Sequence, residues 1–254
     1  AACARPRSGR IVCQQPVYLT REQGKNTKLE KLLAERGIPS AELPCIAFQQ
    51  LKGAEELPAL LAAGGISWVV VTSPESATVF AAAWESAGRP QVRVASVGSA
   101  TAKSLSSFGI TTSFTPSKAT GKVLAAELPR DGGRPSVLYP CSALAADTVA
   151  DALTERGFNV ERLETYTTVP ADWTPEQEAM ARSAAVVSFG SPSAVRVWHE
   201  RVGAGAIAAC IGETSAKQAQ ELGFERVVAP ASPGVEAWAE TIADLGIWGE
   251  APVA

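Results

Sequence analysis

The chain has a single histidine, His199, in 254 residues. That argues against a zinc site built on several histidines, and a serine hydrolase would have to rest its whole base role on one side chain. His199 lies in a helical-looking stretch and reads as an ordinary surface or half-buried residue. The five cysteines, Cys3, Cys13, Cys45, Cys141 and Cys210, are scattered and form no C-x-x-C pair. They read as small buried hydrophobes of a reducing compartment, with no metal or redox spacing among them. No apolar run reaches the roughly 18 residues of a membrane helix. A net charge of −3 offers no broad basic field to nucleic acid. An acidic ligand would have to be held by loop amides, hydroxyls and a few Lys or Arg side chains. There is no G-x-x-x-x-G-K-S/T loop, no G-x-G-x-x-G after a strand, no G-x-S-x-G elbow and no clustered carboxylate pair. With 46% hydrophobic and 19% charged residues, this is a globular chain of one or two domains.

What is present is repetition. Val97-Gly98-Ser99-Ala100-Thr101-Ala102-Lys103 returns as Ile211-Gly212-Glu213-Thr214-Ser215-Ala216-Lys217. Ser73-Pro74 returns as Ser191-Pro192, and Leu33-Ala34-Glu35-Arg36-Gly37 as Leu153-Thr154-Glu155-Arg156-Gly157. The copies are far apart compared with the roughly 20–50-residue period of a solenoid, so they indicate two similar domains. Small ligands favour the clefts between such domains.

Short apolar runs alternate with helical patterns. Strands are expected at 16–20, 68–71, 93–97, 136–139, 184–189, 206–211 and 227–228, with extended stretches at 41–48 and 160–166. Helices are expected at 26–36, 76–86, 100–108, 144–156, 176–183, 193–201, 215–222 and 235–245. This alternation implies parallel sheets covered by helices. The echoes are out of order for a simple tandem, because the Pro140 unit falls between Ser73 and Ser191. One domain inserted in its twin explains that order. The boundaries are then 11–45 plus 170–249 for the first domain and 50–164 for the second. Linker strands at 46–49 and 165–169 can pair as a hinge, and residues 1–10 form a flexible N-terminus.

Each repeat has three hydroxyl-rich strand-to-helix turns. The first copies are Thr20-Arg21, Thr72-Ser73-Pro74-Glu75-Ser76 and Gly98-Ser99-Ala100-Thr101. The second copies are Pro140-Cys141-Ser142, Gly190-Ser191-Pro192-Ser193 and Gly212-Glu213-Thr214-Ser215. In open α/β sheets ligands gather at the carboxyl ends of strands, and helix N-termini attract anions. A Ser or Thr there is also the common helix N-cap. Lys103 and Lys217 follow equivalent glycines and either face a ligand or solvate a helix.

These marks, in this order, resemble the uroporphyrinogen-III synthase family. The likeness rests on Leu19-Thr20-Arg21, Val71-Thr72-Ser73, Val97-Gly98-Ser99-Ala100-Thr101-Ala102, Glu164-Thr165-Tyr166-Thr167-Thr168-Val169-Pro170, Ser191-Pro192-Ser193 and Ile211-Gly212-Glu213-Thr214-Ser215-Ala216. It covers about residues 15 to 245. The chain departs at Pro140-Cys141-Ser142, where many bacterial members carry an Arg.

The resemblance implies two similar parallel-sheet α/β domains, flavodoxin-like, joined by a two-stranded β-ladder hinge. It implies cofactor-free and metal-free chemistry on hydroxymethylbilane, a linear tetrapyrrole with eight carboxylates. That substrate is closed with inversion of the last ring, releasing water, through a spiro intermediate in the interdomain cleft. Tyr166 becomes the candidate acid. Thr20, Arg21, Thr72, Ser73, Ser76, Gly98, Thr101, Lys103, Ser191, Ser193, Gly212, Thr214, Ser215 and Lys217 become candidate substrate-binding residues. A monomer without nucleic-acid or membrane partners is expected, touching the preceding enzyme of its pathway transiently. The acid-free, Arg- and Ser-containing opening Ala1–Ser8 suggests the tail of a transit peptide and a chloroplast stroma location; a cloning boundary is the other reading. Two further functions stay open. One is a two-lobed polyanion-binding protein without catalysis. The other is a serine hydrolase on Ser73 or Ser191.

Overall fold

The computed structural model describes residues 15–232 and 234–248, together with the backbone of 3–4 and 12–13. The rest of the expected N-terminus, 1–10, lies outside the described residues. Cys3–Ala4 (β1) pairs antiparallel with Val12–Cys13 (β2).

The chain divides into two compact units. One runs up to Ala47 and resumes at Val169; the other is Phe48–Thr168. In the first unit the strands are Val17–Leu19 (β3), Ser40–Glu42 (β4), Val186–Phe189 (β10), Ile207–Cys210 (β11) and Val227–Val228 (β12). They form one sheet in the order β12-β11-β10-β3-β4, and every pair is parallel. Its helices are Thr27–Ala34 (α1), Pro175–Ser183 (α7), Pro192–Val202 (α8), Glu213–Glu221 (α9) and Val235–Ala243 (α10).

The second unit holds Ile46–Gln50 (β5, which begins in the first), Trp68–Val71 (β6), Arg93–Ser96 (β7), Ser136–Ser142 (β8) and Asn159–Pro170 (β9, which ends in the first). Its sheet runs β5-β9-β8-β6-β7, and the β9-β8, β8-β6 and β6-β7 pairs are parallel. Phe114 adds a parallel bridge to Ala95 beyond β7. Its helices are Lys52–Ala63 (α2), Pro74–Ser86 (α3), Ser99–Ser107 (α4), Gly121–Glu127 (α5) and Thr148–Glu155 (α6).

Both sheets share one spatial plan reached by different chain orders. The first unit starts with β3 and β4 and continues at β10. The second starts with the counterparts of β10 and β11, namely β6 and β7, and ends with those of β3 and β4, namely β8 and β9. The out-of-order echo in the sequence is this permutation.

Each sheet is buried on both faces, as continuous apolar strands require. Alternate residues separate the faces. Tyr18, Val187 and Phe189 pack with Trp198 and Ala219 of α8 and α9, while Val17, Leu19 and Val186 pack with Leu29, Leu33, Trp238 and Ile242 of α1 and α10. In the second unit Val69, Val71 and Leu138 face Leu57, Phe80 and Leu105, whereas Trp68, Val70 and Val137 face Leu124, Val149 and Leu153.

Three elements differ from the periodicity reading. Helix α2 contains Gly53 and Pro58, both poor helix signals, yet Gly53, Leu57 and Leu61 make a buried stripe at four-residue spacing. Gly53 is needed because a Cβ there would stand 2.3 Å from the Glu164 carbonyl oxygen of β9. Strand β8 continues to Ser142 through Pro140. Its ladder with β6 reaches only to Leu138, and beyond that β9 alone flanks it, so the missing N–H is tolerated. Helix α5 is seven residues long and gives no periodic signal.

Candidate functional site

In each unit the helices after two neighbouring central strands go to opposite faces. After β3 the chain enters α1 on one face, and after β10 it enters α8 on the other. After β8 it enters α6, and after β6 it enters α3, again on opposite faces. Such switch points open a crevice at the strand carboxyl ends, and the hydroxyl-rich turns lie there.

At the first switch point the Thr20 hydroxyl donates to the Ser188 carbonyl and has no exposed surface. This contact engages the Thr20 hydroxyl in holding β3 and β10 together. Arg21 is half-buried, and its stem lies against Gly190, where a Cβ would meet Cγ of Arg21 at 2.7 Å. Its guanidinium makes no ion pair among the described residues and remains available to an anion.

Ser191 caps α8: its Oγ accepts from the Ala194 N–H at 3.3 Å, with Pro192 at the first helical position. Ser193 accepts a 3.5 Å bond from Arg196. A hollow of about 420 Å³ brings together Gly190, Ser191, Gly212, Glu213, Thr214 and Ser215, closed by Pro230 and Ala231. That volume suits a small-molecule site. Pro230 and Ala231 carry no motif, but they follow β12, the strand that completes the row of carboxyl ends.

Gly212 caps α9 with φ −178 and ψ −179, and Gly98 caps α4 with φ −178 and ψ 178. The duplicated motifs therefore fold into the same extended-to-helix turn. Neither turn has a side-chain cap, so helical N–H groups stay free for a ligand. Thr101 is 2% exposed and Ser215 3%, and neither hydroxyl has a hydrogen-bond partner among the described residues. Lys103 and Thr214 are exposed. Lys217 is exposed too, and is drawn 3.9 Å from Glu221 on its own helix.

At the second switch point Thr72 shares a 3.3 Å hydrogen bond with the Tyr139 phenol, whose pKa is raised by burial. Tyr139 carries no motif of its own; its place next to Thr72 comes from the β8/β6 pairing. Ser73 caps α3, accepting from the Ser76 N–H at 3.0 Å and donating to Ser76 Oγ at 3.0 Å. Ser76 is 1% exposed and serves inside this cluster. Tyr166 lies 3.0 Å from Ser73 Oγ, is 6% exposed and stands edge-on to Phe48 at 5.5 Å. Since Ser73 spends its one proton on Ser76, Tyr166 donates to Ser73.

A second hollow, about 350 Å³, is lined by Gln23, Glu42, Asp172 and Gln177 among others. Its carboxylates disfavour an anionic ligand. Among the described residues no group of three or more His, Cys, Asp or Glu could hold a metal ion. None of their helices is long and apolar enough to cross a membrane.

Comparisons agree on one family. The family model described as uroporphyrinogen-III synthase HemD matches residues 27–240. The chain is 40% identical over 248 residues to a chloroplastic uroporphyrinogen-III synthase of Oryza sativa subsp. japonica, covering 91% of this chain and 82% of the rice protein. The structure of uroporphyrinogen-III synthetase from Helicobacter pylori 26695 matches with a TM-score of 0.62 at 16% identity, over 91% of this chain and all of that one. A mutant uroporphyrinogen III synthase from the extremely thermophilic bacterium Thermus thermophilus matches with a TM-score of 0.57 at 18% identity, over 90% and 98%.

Proposed function

The chain belongs to the uroporphyrinogen-III synthase family, cyclising enzymes of tetrapyrrole biosynthesis, and on that premise we propose how its own residues act. The substrate is hydroxymethylbilane, and the product is uroporphyrinogen III with water released. The observation that carries the assignment of residues is the pair Thr101 and Ser215, 2% and 3% exposed, whose hydroxyls have no partner among the described residues, at the free N-termini of α4 and α9. A substrate that carries both carboxylates and pyrrole N–H groups supplies what those turns lack, namely partners for helical N–H groups and hydroxyls. Gly98, Lys103 and Thr72 add to the anion-binding surface of the second unit. Arg21, Ser191, Ser193, Gly212, Thr214 and Lys217 are the substrate-binding residues of the first.

The reaction needs little covalent help. The pyrrole nitrogen lone pair expels the hydroxyl of the hydroxymethyl group, the C–O bond breaks, and a cationic azafulvene remains. Tyr166 gives its proton to the departing oxygen, so water leaves. Ser73 then turns its O–H toward the phenolate oxygen. Attack by the substituted carbon of the last ring gives a spiro intermediate, which fragments and recloses. The proton lost from the ring carbon on rearomatisation returns to Tyr166, and the cycle balances. A positioned acid contributes roughly 10²–10⁴-fold. Holding one geometry against the uncatalysed closure supplies the choice of isomer.

The chloroplastic name of the rice relative supports a plastid location. No step calls for a second copy, so a monomer suffices. The deciding experiment is incubation with freshly made hydroxymethylbilane, oxidation, and separation of porphyrin isomers. Isomer III is expected. Isomer I alone would return the chain to the reading of a polyanion-binding protein without catalysis.

A further inference from the structure

The two duplicated turns have diverged in charge. The first helical position of α4 is Ser99, and no acid lies in its first turn; the same position of α9 is Glu213. Lys103 has no ion pair among the described residues, whereas its twin Lys217 stands 3.9 Å from Glu221, at the position that Ser107 fills in α4. Lys118 adds a further cation next to Ala119, which lies so close over Gly98 that a Cβ there would be 2.8 Å away. The α4 turn is thus cationic, while the α9 turn carries its own anion.

The α9 turn is nonetheless built to meet a ligand. Glu213 lines the 420 Å³ hollow with Ser191, Thr214 and Ser215. Ser215 lines that hollow and is only 3% exposed, and its hydroxyl has no partner among the described residues. The Glu213 carboxylate is exposed and makes no hydrogen bond or ion pair among the described residues. A helix N-terminus amounts to roughly half a positive charge, which one full carboxylate outweighs. A ligand carboxylate is therefore disfavoured beside Glu213, and a hydrogen-bond donor or a cation is favoured.

We propose that Glu213 determines specificity by accepting a pyrrole N–H and offsetting positive charge on a ring-derived cation. This rests on the tetrapyrrole reading above, because once the hydroxyl has left that substrate its ring nitrogens are the donors and the azafulvene is the cation. The carboxylates are left to the twin turn at Gly98, which carries no acid in its first turn.

The test uses Glu213→Gln, which keeps shape and removes charge, Glu213→Ser, which copies the α4 turn, and Glu213→Asp, which restores charge. Binding of uroporphyrinogen III under anaerobic conditions is compared with binding of benzenehexacarboxylate, which has carboxylates and no N–H. Glu213→Gln is expected to weaken the porphyrinogen roughly 10-fold or more and to leave the N–H-free acid unchanged or tighter. In turnover, kcat falls by a similar factor with KM within about threefold, and Glu213→Asp recovers part of it. Tighter binding of both probes would overturn the proposal, since Glu213 would then only repel carboxylates. Equal binding of both probes to wild type and variant would overturn it too, as would a wild type that binds neither. A wild type that binds porphyrinogen but yields only isomer I defeats the synthase reading and leaves the binding comparison to decide Glu213.

Discussion

The Tyr166 phenol donates a 3.0 Å hydrogen bond to Ser73, which passes its own proton to Ser76. The three groups form a chain from a helix cap to a strand, with Ser76 and Tyr166 buried and Ser73 half-buried. A phenol in that setting can give up its proton only if Ser73 reorients, so acid strength and cap geometry are coupled.

Tyr166→Phe removes the acid and one hydrogen bond while keeping the edge-on contact with Phe48. Steady-state assays with fresh hydroxymethylbilane should show kcat lowered about 100-fold. The melting temperature should move by only a few degrees, as loss of one hydrogen bond costs about 1 kcal/mol. Unchanged turnover would take Tyr166 out of the mechanism.

Hydroxyls at equivalent strand ends should separate by role. Thr101→Ala and Ser215→Ala remove groups with no partner among the described residues, so thermal stability should hold while product affinity drops about 3- to 10-fold. Thr20→Ala breaks a buried bond to Ser188 and should destabilise by about 1–2 kcal/mol with product affinity unchanged. Calorimetric melting and product titration on the same three variants would expose a reversed pattern.

Gly53→Ala places a methyl 2.3 Å from a backbone oxygen that cannot swing aside. Overpacking of this kind costs about 1–3 kcal/mol or more. A urea midpoint equal to that of wild type would show that α2 slides off β9 at no cost. Gly190→Ala meets only the flexible Arg21 stem, so its effect should appear in ligand affinity, with stability nearly retained.

Burial pushes the Cys45 thiol up to about 12, Cys141 to about 11 and Cys210 to about 12. An unfolded thiol titrates near 8.5. The folded state therefore holds these protons where the unfolded state has lost them, and the stability from this source is complete below about pH 8.5. It is lost progressively as pH rises from there toward 11–12. Urea midpoints measured between pH 8 and 10.5 should decline. Peptide mapping after brief thiol alkylation at pH 7.5 should find these three positions unmodified until the chain unfolds; rapid labelling of the native protein would contradict their burial.

Much of the architecture was legible in the residues. Apolar runs such as Trp68–Val71 and Val186–Phe189, each followed by a capped helix, dictate parallel sheets covered on both faces, because that alternation reports local periodicity. The displaced echo of Leu33–Gly37 at Leu153–Gly157 already encodes the permuted order of the second unit. Where local signals conflict, as at Gly53 and Pro58 in α2 or Pro140 in β8, packing against β9 decides. A stripe of buried Leu outweighs propensity, and a strand flanked on one side tolerates a missing N–H.

The candidate site was legible as a set of positions and silent on their roles. Thr20 and Thr101 both close a strand or open a helix, and nothing local tells them apart. Thr20 meets Ser188, 168 positions away in the chain, and its hydroxyl is used up; Thr101 meets no acceptor among the described residues and keeps its own free. Lys103 and Lys217 stand at equivalent points, yet only Lys217 has an acid one turn ahead. The sequence alone determined the fold plan, the duplication and the turns that could hold an anion. Only the tertiary structure decided which hydroxyls and charges remain unspent, because a polar group is used or free according to what long-range strand pairing sets beside it.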